Sequence, residues 1–345
     1  MSSDSKLSGD KATVHKVTVH EVAKYAGVSI SSVSRALSDH PHVSNALRTR
    51  VRSAALSLGY RPDFLAHSLR SGTTYSVGFV VGTISNPIMA DISASLGNVL
   101  ADHDYAMMLL SSQNKPELET TYLRFLAHRQ VSGLVISTAA DGATQAAELI
   151  HGLGIPTVML DRQRPPGSHV SAVQSDHRSG MQAAVAHLLS RGHRRIALIG
   201  GQEFFDPARE RLAGFHTAMQ EADIAIDPEL VRCMGMSKTV GYTETRSLLA
   251  SSNPPTALIA GGNLILAGVL QALQELKVAV GRDLALVGCD DTELTRLYSP
   301  PITVIARDLA LMGETTAWLL LETIANRAGR TVVLPTQLII RDSSS

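Results

Sequence analysis

The sequence predicts a small helical unit followed by a much larger α/β body with parallel sheets. Three observations lead there. The first 60 residues hold short apolar-periodic segments separated by glycines; from Tyr75 onward, β-rich apolar runs alternate with helical stretches; and the 345-residue length, 44% hydrophobic, suits two or three domains. Charge is divided in the same way. The whole chain is formally neutral, yet residues 1–73 carry ten Lys and Arg against five Asp and Glu, which leaves the remainder mildly acidic. A basic N-terminal piece on an acidic body suits contact with a polyanion, although a solvated basic surface would look the same.

Residues 1–16 are polar, contain no apolar signal-peptide core, and read as a flexible extension. No run approaches the roughly 20 apolar residues needed to span a bilayer, so the expected setting is cytoplasmic, at the nucleoid, with no membrane partner. Cys233 and Cys289 lie far apart and lack CxxC or CxxH spacing. They suggest buried apolar side chains, with neither a disulfide framework nor a metal site.

The headpiece, residues 17–61, is built from three helices. Thr18 followed by Glu21 forms a capping box that starts a helix near Val19, and Val19, Val22, Ala23 and Ala26 give it an apolar face. Gly27 supplies the left-handed residue at which that helix stops. Ser29 caps a second helix whose Val33, Ala36 and Leu37 face the first, leaving Ile30, Ser31, Ser34 and Arg35 outward. A helix entering the major groove must be slim, must lack carboxylates that phosphates would repel, and gains from an arginine that can grip guanine with two hydrogen bonds. The pattern therefore reads as a helix-turn-helix. Ser44 caps a third helix carrying Leu47, Val51, Ala54, Ala55 and Leu58, with Gly59 as its stop and Arg48, Arg50 and Arg52 around it. Residues 62–74 follow as a short hinge helix opened by Pro62, then a Ser, Gly and Thr linker.

"VTVHEVAKYAGVSISSVSRAL" with "LGYRPDFLAHSLRSG" resembles the headpiece and hinge of the lactose-repressor (LacI/GalR) family of bacterial transcription regulators. The resemblance continues through "SNPI", "VMLDR", "HLLSRGHRRIALIGG", "RERLAGFHTAM", "LVGCDD" and "PPITVI" in family order. It implies a DNA-binding regulator, a repressor by expectation, that binds a palindromic operator in double-stranded DNA as a homodimer. Candidate DNA contacts are Thr18, Ser29, Ile30, Ser31, Ser34, Arg35 and His42. The resemblance adds Leu69 as a wedge into the minor groove, with Ala66 beside it, which agrees with the way an inserted apolar side chain kinks a base step.

In the body, 75–345, the runs "SVGFVV", "YAMMLL", "GLVIS", "TVMLD", "RIALIG", "TALIA" and "LALVG" read as strands. The resemblance implies two lobes like those of type I periplasmic binding proteins, with crossovers near 175, 304 and 333. Ligands of open parallel sheets bind beyond the carboxyl ends of the strands, so the effector belongs in the interlobe cleft. Match to the family motifs places Asn86, Asp161, Arg162, Asp176, Arg211, Asn263 and Asp290 there, although each could instead be a structural cap or an ion pair between lobes. Two departures bear on the ligand. Gly262 and Asn263 stand where the family usually has Asn-Asp, and Ile88 follows Pro87 where an aromatic is frequent. A small polyhydroxyl effector of the sugar, polyol or sugar-acid class is expected, with Phe204 and Phe205 able to supply an apolar face or equally to sit in the core.

Other classes fit less well. No GxGxxG after a strand, P-loop, GxSxG or HExxH occurs, so catalysis and a cofactor are not expected. A transport-associated binding protein would not need the headpiece. Control by a protein partner in place of a metabolite stays open at this level.

Overall fold

A computed structural model describes residues 17–37, 42–60, 74–137, 149–150, 152–165 and 169–345, and divides the chain into two compact units, with the boundary between Thr74 and Tyr75.

The first unit holds α1 (Val19–Ala26), α2 (Ile30–Leu37) and α3 (Asn45–Leu58). Its start is fixed by Glu21, whose Oε2 accepts from Thr18 N at 2.7 Å and from Thr18 Oγ1 at 2.9 Å. Gly27 ends α1 at φ 64°, a conformation that costs a residue with a Cβ far more, and Val28 N then bonds back to Ala23 O at 3.0 Å. Ser29 Oγ accepts from Ser32 N at 3.2 Å, and Ser44 Oγ accepts from Leu47 N at 3.3 Å, so both following helices start on serine caps. Val22, Val33, Ala36 and Val51 are wholly buried and hold the three helices together.

The second unit contains two six-stranded sheets. One has the order β11-β5-β4-β3-β1-β2, formed by β1 (Ser76–Val81), β2 (Ala106–Ser111), β3 (Gly133–Ser137), β4 (Thr157–Leu160), β5 (Ser171–Ser175) and β11 (Thr331–Leu334). The other has the order β12-β10-β9-β8-β6-β7, formed by β6 (Ile196–Gly200), β7 (Val231–Cys233), β8 (Ala257–Ala260), β9 (Ala285–Cys289), β10 (Thr303–Arg307) and β12 (Thr336–Ile339). All described pairings within these sheets are parallel except β10 with β12. Both faces of each sheet are therefore covered by helices, and the strands nearest the middle, such as β1, β3, β8 and β9, are mostly apolar. In the first lobe, α4 (Pro87–Asp102) and α11 (Leu309–Asn326) pack Leu96 and Leu320 on the sheet face carrying Phe79, while α5 (Pro116–His128) covers Leu134 and Ile136. In the second, α6 (His177–Ser190) and α7 (Asp206–Glu221) enclose Met181, Phe215 and Val287, and α8 (Lys238–Leu249) and α9 (Asn263–Leu276) lie on the side of Leu258, Leu266 and Leu286. A short α10 (Glu293–Leu297) follows β9.

The chain passes between the lobes at Asp176, Asp308 and Pro335. Against the sequence expectation of 175, 304 and 333, the second and third passages fall later because β10 runs on through Arg307 and β11 through Leu334. Cys289 is buried as expected, whereas Cys233, on the edge strand β7, is only half-buried. No helix among the described residues is long and apolar enough to cross a membrane.

Candidate functional site

In the headpiece, α2 turns Val33 and Ala36 into the core, which leaves Ile30, Ser31 and Arg35 exposed and Ser34 half-buried. No carboxylate lies on this helix. Ser29 Oγ sits 2.9 Å from both Ser31 Oγ and Ser32 Oγ, so the start of α2 presents linked hydroxyls of adjustable donor sense. Thr18 lies exposed at the start of α1, and His42 is exposed just ahead of α3. The hinge candidates Ala66 and Leu69 fall outside the described residues.

The cleft of the body is assembled at the carboxyl ends of the strands. Asn86, after β1, caps α4 and accepts from Ile88 N at 3.4 Å. Asn263 opens α9 after β8 from the other lobe, and its Nδ2 donates to Asn86 Oδ1 at 2.7 Å, closing an amide bridge across the cleft. Asp161 follows β4 in one lobe and Asp290 follows β9 in the other. Both stand in the left-handed region, at φ 52° and 70°, a conformation that aspartate tolerates better than most residues and that aims each carboxylate inward. Arg211, on α7, is 5% exposed and donates Nη1 to Gly261 O at 2.8 Å.

Arg307, at the end of β10, was not foreseen. Its Nη1 donates to Asp161 Oδ2 at 2.5 Å and its Nε to Asp290 Oδ1 at 2.7 Å, so one guanidinium ties carboxylates from both lobes. Burial alone would raise both carboxyls, but Arg307 and Arg211 outweigh it and hold them below the usual carboxylate range. Burial likewise disfavours charge on Arg307, and the two aspartates reverse this and raise its pKa. Beside them, His177 Nε2 lies 3.4 Å from Asp161 Oδ1 without a well-formed hydrogen bond. Burial first, then the Arg211 charge, push its imidazole down to about 4, so it is neutral near pH 7.

Asn86, Asp161, Arg211, Asn263 and Asp290 thus meet around one cavity, together with Ile88, Phe205 and Met236. Asp176 does not join them. It caps α6, accepting from Ser179 N at 3.0 Å, and borders a neighbouring hollow beside Arg178 and Glu210. Arg162 also stays out of the cavity lining, with its guanidinium 5.0 Å above the Phe205 ring and Nη1 3.4 Å from Phe204 O. Of the two phenylalanines, Phe205 borders the cavity and Phe204 is exposed, so neither belongs to the core. Sequence carried only the arginine that closes the apolar run TVIAR; its closeness to Asp161 and Asp290 comes from the fold.

A three-helix unit joined in one chain to a two-lobed, parallel-sheet body with a polar cleft has the plan of a DNA-binding regulator with an effector-binding domain. Family comparison agrees: residues 18–63 match the bacterial regulatory proteins of the lacI family, and residues 185–344 match the periplasmic binding protein-like domain. The chain belongs to the lacI family of transcriptional regulators. It is 31% identical to the HTH-type transcriptional regulator DegA of Bacillus subtilis (strain 168), over 96% of this chain and 98% of that one. It is also 31% identical to the HTH-type transcriptional repressor PurR of Haemophilus influenzae (strain PittEE), over 90% and 92%. Among solved structures, the lac repressor dimer bound to operator and the anti-inducer ONPF is similar with a TM-score of 0.81 at 29% identity, covering 95% of this chain and 99% of that one. The regulator CelR in complex with cellobiose is similar with a TM-score of 0.71 at 29% identity, covering 95% and 100%.

Proposed function

We propose that this protein represses transcription by binding a palindromic operator as a homodimer, under the control of a small polyhydroxyl effector held between the lobes. The observation that carries the reading is the outer face of α2, where Ile30, Ser31 and Arg35 are exposed without a carboxylate. An arginine there reads guanine and an isoleucine suits a thymine methyl. Thr18, Ser29, Ser34 and His42 contact the flanking backbone or base edges, and Leu69 with Ala66 opens the minor groove at the centre of the operator. Dimerisation is favoured by β2, an edge strand of sequence AMMLLS whose Leu109 is 40% exposed; an apolar edge of this kind is ordinarily covered. The similar lac repressor structure is a dimer on its operator.

Effector control is supported by the cleft and by the sugar-bound likeness of CelR with cellobiose. Asn86, Asn263, Arg211, Asp161 and Asp290 form its polar wall. The test is operator binding by the full chain with Arg35→Ala. The substitution should weaken specific binding by about 1–3 kcal/mol and relax one base position, leaving nonspecific binding nearly unaltered. Equal discrimination between operator and scrambled DNA in both proteins would remove α2 as the reading helix.

A further inference from the structure

Resting on the effector reading above, we infer that the effector is a hydroxylated organic acid whose carboxylate seats on Arg211. Arg307 makes this selection, by withdrawing Asp161 and Asp290 from the ligand.

The argument starts from which polar groups are already engaged. A neutral sugar is gripped chiefly by carboxylates, which accept two hydrogen bonds from neighbouring hydroxyls. The two carboxylates of this cleft are both committed to the single Arg307 fork, at 2.5 and 2.7 Å, and that side chain is only 5% exposed. A third carboxylate does not replace them, since Asn263 starts α9 and spends its amide on Asn86. Arg307 and the two aspartates together carry one net negative charge, and Arg211 balances it from across the cavity without a direct carboxylate bond.

Arg211 is the group left wanting a partner. It is 95% buried by the measure of its 5% exposure, it lines the cavity, and its buried Nε has no hydrogen-bond partner. A buried guanidinium N–H without an acceptor costs free energy that a ligand carboxylate recovers, and the planar fork suits that group better than an isolated hydroxyl. The rest of the lining suits a short hydroxylated carbon chain. Beyond the bond they make to each other, Asn86 keeps its Nδ2 as a donor and Asn263 its Oδ1 as an acceptor, while Met236 and Phe205 give an apolar wall. Met236 is held in that wall by Gly262: a Cβ at this position would come within 2.6 Å of Met236 Cε, so the glycine that replaces a polar residue of the family pattern makes room for a thioether.

The experiment follows operator affinity of the full chain by fluorescence anisotropy. The probes are D-gluconate, D-galactonate and D-mannonate, the corresponding aldoses and alditols, and then the anionic and neutral fractions of a cell extract parted on an anion-exchange resin. An aldonate or the anionic fraction should change operator affinity about ten-fold or more. Arg211→Lys keeps the charge but loses the fork, and should weaken the acid's apparent affinity about ten-fold. Arg307→Gln frees Asp161 and Asp290, and should reduce the acid response while raising that to neutral compounds; Arg307→Lys serves if the glutamine variant does not fold. A response to neutral probes or the neutral fraction that equals or exceeds the acid response overturns the inference and leaves effector control standing. An undiminished acid response in Arg211→Lys also overturns it. A response to none of the probes or fractions overturns effector control itself, and the inference with it.

Discussion

His177 shows how far one side chain can depart from its ordinary chemistry. Asp161 faces it at 3.4 Å, Arg211 and Arg307 act on it through space, and its imidazole sits at about 4 against an ordinary 6.5. A histidine whose folded pKa is depressed stabilises the fold fully above its unfolded pKa, and that stability is lost as the pH falls from about 6.5 towards 4. The loss should reach roughly 3 kcal/mol. Asp161 and Asp290, held below the carboxylate range, give up most of their own contribution at more acid pH, and His193, which burial also lowers, contributes alike to wild type and variant, so the difference between the two slopes reports His177. Melting temperature against pH should therefore slope steeply between 6.5 and 4 in the wild type and less in His177→Gln. Parallel slopes would show that His177 titrates alike in the folded and unfolded chains. At this scale, sequence placed two aspartates at strand ends but not the partner they share. Asp161 and Asp290 were visible as strand-end acids, whereas their shared partner lies 146 and 17 residues away and only the fold brings it to them. Asp176 misled for the opposite reason, since an Asp three residues before Ser179 is as good a helix cap as a cleft ligand.

Among the elements, α8 and α9 cross with almost no space between their backbones. A Cβ on Gly268 would lie 1.9 Å from Lys238 O, and one on Gly241 would lie 2.1 Å from Ile265 O. Gly268→Ala must therefore push the helices apart and should lower unfolding free energy by about 1–3 kcal/mol or more, read by urea denaturation. A variant as stable as the wild type would mean that the crossing is looser than described. The headpiece elements were legible because their signals are local: Thr18 with Glu21, Gly27, Ser29, Ser44 and Gly59 each act within four residues. The strands β5, β7, β11 and β12 were not, because they are short, carry mixed residues, and gain their pairing partners from distant segments. The ending DSSS is tied into the second lobe: Ser343 Oγ donates to Leu286 O at 2.6 Å and accepts from Thr303 N at 2.8 Å. Removing Ser343–Ser345 should leave those backbone groups unpaired, at about 1–3 kcal/mol each, and lower the melting temperature by several degrees. An unchanged melting temperature would contradict that placement.

For the whole molecule, the proposed effector control requires that the two units be coupled through free energy, because an effector alters operator affinity only by as much as the operator alters effector affinity. The body has the parts for such coupling. Arg307 stands immediately before a passage between lobes, grips an aspartate of each, and lies one residue from Asp308, the cap of α11. The family and the two-lobed plan were legible in the sequence because their motifs recur in order along the chain; the ionic knot that sets the chemistry of the cleft was not, because it is made from three strand ends. The measurement that tests the central claim most directly is selection of DNA bound by the full chain from a random pool. The account predicts a single palindromic consensus with two half-sites, lost at one position per half-site when the selection is repeated with Arg35→Ala. Recovery of no consensus, or of an asymmetric site unaffected by that substitution, would contradict it.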